Sequence, residues 1–523
     1  MTSATLSISG SAPVTPIRQE IFGYFIEHFH RLIYGGIFEP GSPLSDERGF
    51  RLDVADALRE LGTGVVRWPG GCFVSAYHWV DGVGPDRKPR FDKAWRVDEP
   101  NTFGTAEFIQ WCELVGATPY LCTNAGTGTP EEMADWLEYC NSNGSGSWAQ
   151  LRREHGNVDA FGVPYWSIGN ENYGTWEIGA KSAEEWSRYV TESAKMMRRV
   201  DPSVHLLTAA RADLDWTLPL LKSAGPYLDS VAIHGYWDPL WIDDSPIDYL
   251  TAVGRSMQPE QDIRAMRSII RAAGYENEIS IAFDEWNLRG WHHPPGGDDD
   301  AIAARDRNDR HETYTMADAV FSAGFLNGCL RNADVVSMAN LAPLVNGRGP
   351  LFVDSTGIVK RTTYYLMQMY ARLLGAEYVE STASSATLDC GDGVHIPAVD
   401  AVVTRRGDAL VIALVNRHPD AILDCGISID GVAVTGTAQR TTLTGDSTDA
   451  FNSPENPDRV VPTVSQEHMD DGKVTLPAHS ITVLEIPQSV APTVGDWIRG
   501  EGQQWREIEP TSSGAKPHVD WAF

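Results

Sequence analysis

Short apolar runs recur up to residue 340, and most of them are followed by a segment of helical period. The runs are Ile21–Glu27, Gly64–Trp68, Thr118–Thr123, Tyr165–Gly169, Val204–Thr208, Ser230–His234, Ile279–Phe283 and Val335–Asn340. Each has the length and composition of a buried strand. Between them, Ile263, Met266, Ile269, Ile270 and Ala273 fall on one stripe between Asp262 and Gly274. Trp186, Tyr189, Val190, Met197 and Val200 do the same before Asp201-Pro202 stops the helix. Strand and helix alternating eight times predict an α/β chain folded as a (β/α)8 barrel over residues 18–375. A doubly wound open sheet would want a glycine-rich phosphate loop after its first strand, and none is written there.

Beyond residue 376 the period changes. Ala401–Arg405 and Ala409–Asn416 alternate around Arg406-Gly407-Asp408, a hairpin signal, and Gly426–Ile429, Lys473–Leu476 and Ser480–Ile486 follow without a long helix. Residues 376–487 therefore predict a C-terminal all-β sandwich. Ala4–Ser9, within residues 1–17, is also strand-like and is expected to join it. His292–Arg310 reads as a polar loop after the seventh strand. The tail 488–523 is rich in Pro, Gly and Ser yet holds Trp497, Trp505 and Trp521, which are expected to dock on apolar surface.

Composition narrows the function. The chain has 523 residues and a formal charge of −29, which repels nucleic acid and anionic membranes and is compatible with a neutral ligand such as a sugar. No apolar run approaches the ~20 residues of a bilayer span. The first residues lack the basic region and apolar stretch of a secretory signal, so a cytoplasmic protein is expected. Seven scattered cysteines with no C-x-x-C pair fit reduced thiols.

Two motifs carry chemistry. Ser167-Ile168-Gly169-Asn170-Glu171 follows strand four, and Ala282-Phe283-Asp284-Glu285-Trp286-Asn287 follows strand seven. Catalytic side chains of a barrel sit at the carboxyl ends of its strands. Glu171 and Glu285 are thus candidates for the carboxyl pair of a glycoside hydrolase, one acid and one nucleophile or base. Glu27, Arg67, His234 and Tyr236 also fall at strand ends. An arginine and a tyrosine hydroxyl would hold a nucleophilic carboxylate ionised, and a neighbouring negative charge would raise the acid's pKa. His28 and His30, or His292, His293 and Asp298–Asp300, could be read as metal ligands, but neither set has the spacing of a defined site. No metal or other cofactor is expected. The absence of a G-x-S-x-G elbow and of a P-loop removes serine-hydrolase and nucleotide-dependent readings.

From residue 18 to 487 the chain resembles glycoside hydrolase family 51, the α-L-arabinofuranosidases. The resemblance rests on Phe25-Ile26-Glu27-His28, Tyr34–Pro43, Arg67-Trp68-Pro69-Gly70-Gly71, Trp79–Pro85, Asn101-Thr102-Phe103-Gly104 with Glu107, Gly169-Asn170-Glu171-Asn172, Asp284-Glu285-Trp286-Asn287 and Leu476-Pro477-Ala478-His479-Ser480. It implies Glu171 as acid/base, Glu285 as nucleophile, Glu27 and Asn170 as ligands of furanose hydroxyls, Tyr236 as positioner of the nucleophile and Arg67 as its support. It also implies a jelly-roll-like C-terminal domain, no cofactor and often a hexamer. Cys72 stands where many members carry a sugar-binding asparagine, and Pro343 where many carry glutamine. The expected activity is exo-cleavage of terminal α-L-arabinofuranosyl units from short arabino-oligosaccharides, with retention. Alternatives are another furanoside (galactofuranoside or D-arabinofuranoside), endo-action on a glucan or xylan, and a non-catalytic sugar-binding barrel.

Overall fold

The computed structural model describes residues 3–29, 31–240, 245–290 and 309–487. Eight parallel strands close into a barrel: Gly23–Phe25, Val65–Trp68, Thr118–Thr123, Tyr165–Ile168, His205–Ala209, Ser230–Asp238, Ser280–Arg289 and Val336–Leu341. The ring shuts where Leu341 pairs with Tyr24. Val65, Tyr120, Tyr165, Leu207, Ala282 and Met338, one from each of six strands, form a separate apolar cluster. They fill the barrel interior below the rim, so the chemistry is confined to the carboxyl ends of the strands.

The helices lie where the apolar stripes put them. Ala183–Val200 begins at Ser182, whose side chain accepts from the Glu185 amide while Glu185 reaches back, a capping box. It buries Trp186, Val190, Ala194 and Met197. Gln258–Ala273 buries Ile263, Met266, Ile269 and Ile270 and stops at left-handed Gly274. Met316–Arg331 is different, being buried all round from Met316 to Leu330. It is covered on its outer side by the β-domain, where Asn327 and Arg331 meet Asp400 at 3.0 and 2.9 Å.

Two large sheets make up most of the β-domain, beside a two-stranded ribbon of Thr387–Asp389 and His395–Pro397. The larger runs in the order Thr15–Pro16, Glu377–Val379, Val399–Arg406, Ala409–Asn416, Ser480–Ile486, Gly436–Leu443 and Thr463–Met469. The smaller holds the N-terminal strand Ser3–Ile8 between Ser381–Ser384, antiparallel, and Leu423–Ile429, parallel. The expected hairpin forms around Gly407 at φ 58°.

Two barrel strands are longer than the sequence reading has them. Strand six runs on to Asp238 and strand seven to Arg289, and they remain paired beyond the rim, with His234 opposite Glu285 and Tyr236 opposite Asn287. Glu285 therefore lies inside a strand rather than at its end. The extension is pinned at its tip, where Arg289 joins Asp238 at 2.6 Å and Asp318 at 2.8 Å. Residues 292–308 of the expected loop 292–310 lie outside the described residues, as do the tail 488–523 with its tryptophans and His30.

Candidate active site

The site grows from two backbone devices. After strand four the chain reverses through Gly169, at φ 73°, and Glu171, at φ 45°. A Cβ at Gly169 would stand 2.2 Å from Asn172 Oδ1, so only glycine fits. Asn172 is fully buried and its Oδ1 accepts from the Asn170 amide at 3.1 Å, holding the turn. A non-glycine residue in the left-handed region is strained, and here it is the residue that presents a carboxyl to the mouth. The second device is a set of three register shifts, between Ala232 and His234, between Ile281 and Ala282, and between Phe283 and Trp286. Alternation along a strand would send Asp284 and Glu285 to opposite faces; the shifts re-aim them, and both reach Arg67 and His234.

Arg67 is the hub. It is fully buried; its Nη1 donates to Glu285 Oε1 at 2.6 Å, its Nη2 to Asn170 Oδ1 at 2.8 Å, and its Nε lies 3.1 Å from Asp284 Oδ2. Tyr236 donates to the other oxygen of Glu285 at 2.7 Å. His234 bridges two carboxyls, with Nδ1 2.8 Å from Glu171 Oε1 and Nε2 3.0 Å from Asp284 Oδ1. Asp284 also accepts from Tyr120 at 2.9 Å. Trp176, 65 % exposed on the rim, donates its indole N–H to Glu171 Oε2 at 2.8 Å.

These contacts divide the ionisable groups. Burial works against the charge of His234, but Glu285 and Asp284 outweigh it and hold the imidazole well above its usual pKa. Burial likewise favours neutral Glu171, yet His234, Trp176 and Arg67 bring its pKa below the ordinary carboxyl value. Asp284 is also held low, Arg67 and His234 overcoming its burial. Glu27 goes the other way. Its burial, then the Glu285 charge, push it up to about 8 despite hydrogen bonds from the Phe73 amide and the Trp95 indole at 3.0 and 2.5 Å. A Cβ on Gly71 would lie 3.1 Å from Glu285 and 3.2 Å from Glu27, so the Pro-Gly-Gly turn lets backbone pass between the two.

Two sets of three ligand-type side chains come together among the described residues: Cys72, Glu171 and Glu177, and Glu171, His234 and Glu285, each within 4.8 Å of one another. In the second set the imidazole and both Glu285 oxygens already serve Arg67, Tyr236, Glu171 and Asp284. His28 is not aimed at the mouth. Its Nδ1 meets Glu99 at 3.0 Å and its Nε2 accepts from the Trp68 indole at 3.0 Å. His292, His293 and Asp298–Asp300 lie outside the described residues.

With this geometry in place, comparison with known proteins is decisive. Residues 57–253 match the alpha-L-arabinofuranosidase 1 domain, and residues 284–480 the alpha-L-arabinofuranosidase C-terminal domain. A probable alpha-L-arabinofuranosidase C of Aspergillus flavus is 35 % identical over 92 % of this chain and 97 % of its own. The chain belongs to glycoside hydrolase family 51, the α-L-arabinofuranosidases. An intracellular exo-alpha-(1->5)-L-arabinofuranosidase of Streptomyces lividans is 31 % identical over 99 % of this chain and 81 % of its own. The α-L-arabinofuranosidase of Thermotoga maritima, solved with arabinose, superimposes with a TM-score of 0.83 at 34 % identity, covering 93 % of this chain and 100 % of that one.

In this arabinofuranosidase the structure gathers Glu27, Arg67, Cys72, Asn170, Glu171, His234, Tyr236 and Glu285 around one mouth. Sequence reasoning missed the parts that support them. Asp284 stands next to Glu285 in the motif, but alternation alone would turn it away. Tyr120 and Trp95 are apolar-looking residues whose polar tips do the work. Glu177 follows Glu171 by six positions in a loop without period, and no local signal marks it. Among the described residues no helix is long and apolar enough to cross a membrane, and all seven cysteines are free.

Proposed function

We propose that this arabinofuranosidase releases terminal α-L-arabinofuranosyl units by double displacement, Glu285 attacking the anomeric carbon while Glu171 protonates the departing oxygen. One observation carries the reading: one carboxyl oxygen of Glu171 and one of Glu285 lie within 4.8 Å of each other, too close to leave a water between the two groups. Retaining enzymes hold the pair ~5–5.5 Å apart, whereas inverting ones leave ~6.5–9.5 Å for a water. Arg67 and Tyr236 stabilise the Glu285 carboxylate in place, ready to form and later release the glycosyl ester. One proton is shared along Asp284, His234 and Glu171. It rests on His234 in the empty site and leaves through Glu171 to the aglycone oxygen; in the second step Glu171 takes a proton from the attacking water.

The sugar lies against Glu27, Asn170 and Cys72. Glu27, neutral in the empty site near pH 7, both donates to and accepts from ring hydroxyls. Exo-action is supported by the name of the Streptomyces relative, and short arabino-oligosaccharides are the substrates proposed for it. That name and the seven free thiols also support a cytoplasmic location. No cofactor takes part, and activity should survive prolonged chelation with EDTA. Assembly into a homo-oligomer, a hexamer by family resemblance, is part of the proposal; light scattering at the monomer mass at micromolar concentration would remove it. The mechanism is tested by NMR of the newly released sugar. Retained configuration is expected, and an inverted product overturns the double displacement. On aryl glycosides, the α-L-arabinofuranoside should far exceed the arabinopyranoside, xylopyranoside and glucopyranoside. A higher kcat/KM for a galactofuranoside or a pyranoside would remove the arabinose assignment.

A further inference from the structure

Glu177 has no role in that scheme, yet it is built into the same wall. It is 5 % exposed. Its Oε2 accepts from Asn170 Nδ2 at 3.3 Å, and Ser75 and Cys72 are its other hydrogen-bonding neighbours. Cys72, Glu171 and Glu177 each present a polar atom within 4.8 Å of the other two. A carboxyl buried this deeply beside other carboxyls calls for an explanation.

The amide of Asn170 supplies the first part of one. Its Oδ1 is taken by Arg67, so its NH2 group is forced to the other side, where one hydrogen meets Glu177 and the second is left for a ligand. Glu177 thus fixes which way Asn170 points. The second part is electrostatic. The groups facing Glu177 are Cys72 and Ser75 from the turn after strand two, Glu171 and Asn170 from its own loop and Glu285 from strand seven, and Cys72 also feels the Glu27 carboxyl. Burial above all, then the Glu171 and Glu285 charges, push Glu177 up to about 7, with Ser75 and Cys72 pulling it back.

We propose that Glu177 is a positioning residue that orients Asn170 toward the sugar and whose charge sets the proton affinity of Glu171. The proposal rests on Glu171 being the acid/base. A negative charge within 4.8 Å in a buried pocket makes a carboxyl hold its proton more tightly. As pH rises and Glu177 ionises, its charge makes the proton shared by His234 and Glu171 harder to lose. The alkaline limb of activity is thereby extended.

Two variants separate the two parts. Glu177→Gln keeps the shape and the acceptor for Asn170 but removes the charge. On an α-L-arabinofuranoside with a poor leaving group, the alkaline limb of kcat/KM should move down by about one pH unit, with KM on the acid side unchanged. Glu177→Leu removes the acceptor as well, and KM should rise about five- to tenfold, an increase that Glu177→Gln does not show. A Gln profile that superimposes on the parent overturns the electrostatic part, and a Leu variant with parental KM overturns the positioning part. If the Leu variant fails to fold, Glu177→Met supplies the same measurement. Failure of the underlying reading is recognised separately. If Glu171→Ala slows good and poor leaving groups equally, Glu171 is not the acid, whatever Glu177 does.

Discussion

This protein buries charge in two places, and it does so in opposite ways. At the junction of barrel and β-domain, Asp400 lies between Arg331 and Arg417, each at 2.9 Å, with Asn327 at 3.0 Å, and Arg331 also reaches Glu260 at 3.0 Å. Every carboxylate there faces a guanidinium. The arginines outweigh burial and hold Asp400 and Glu260 below the ordinary carboxyl range. At the mouth, five carboxyls (Glu27, Glu171, Glu177, Asp284 and Glu285) converge, and Arg67 and His234 are the cations in direct contact with them among the described residues. There is too little positive charge to ionise them all. Glu27 and Glu177 are left with raised affinities, to about 8 and about 7. A balanced cluster locks a structure; an unbalanced one keeps protons within reach of a substrate.

The largest effects should follow from the mouth. Glu285→Ala should lose activity by roughly 10^4-fold or more, because no glycosyl ester can form. Glu171→Ala should lose about 10^2- to 10^4-fold on poor leaving groups, much less on an activated aryl glycoside, and added azide should restore turnover. Near-parental activity of Glu285→Ala would end the claim that the mouth is chemical and the junction structural. Asp400→Ala should do the reverse. It strands buried arginines and should cost about 3–5 kcal/mol of stability in a urea titration while leaving kcat/KM within a few-fold.

How far the sequence foretells this contrast depends on whether a residue's setting is local. The barrel strands were legible because they are buried on both faces and read as unbroken apolar runs, Tyr165–Ile168 and Val65–Trp68 among them. Glu171 and Glu285 were legible because each follows such a run. The continuation of strands six and seven was not. Trp286-Asn287-Leu288-Arg289 looks like a loop, and its pairing with strand six and the contacts of Arg289 with Asp238 and Asp318 keep it extended. Gly436–Leu443 and Thr463–Met469 were missed because the first is polar and the second is an exposed edge strand without alternation. Glu177 reaches the mouth only because the chain reverses at Gly169 and Glu171, a tertiary fact with no periodic trace.

The two clusters should also respond to pH with opposite signs. Asp400 binds its proton more weakly folded than unfolded, so its stabilisation is present above the ordinary 3.8 and is lost as pH falls through the lower folded value. Glu27 and Glu177 bind protons more tightly when folded. Their contribution is full below the ordinary 4.5 and is lost as pH rises toward about 8 and about 7. Stability should therefore decline on the alkaline side through the mouth and on the acid side through the junction. Glu27→Gln should flatten the decline between about pH 5 and 8, by an amount on the order of a few kcal/mol. Urea titrations across that range would refute the division if the parent and Glu27→Gln curves ran parallel.

The smallest expected effect sharpens the comparison most, because it concerns a mouth residue that carries no charge. Cys72 is partly exposed in the turn after strand two, and its thiol is pushed well above its usual pKa by burial first and then by Glu177, Glu171 and Glu27. It is thus a neutral thiol at the pH of the cell, a weak donor and a weaker acceptor. If the mouth works through its carboxyls, Cys72→Ala removes one weak contact to the sugar, worth about 0.5–1.5 kcal/mol, and KM should rise less than about tenfold with kcat nearly unchanged. Cys72→Asn offers an oriented amide where the parent has a thiol, beside the Glu177 carboxyl. It should tighten selection among furanosides, since a site that hydrogen-bonds a hydroxyl rejects analogues that misplace it. The ratio of kcat/KM for the α-L-arabinofuranoside over the galactofuranoside reads that change directly. A hundredfold loss in Cys72→Ala would instead make the thiol a principal contact and move the weight of recognition from the carboxyls to the turn after strand two.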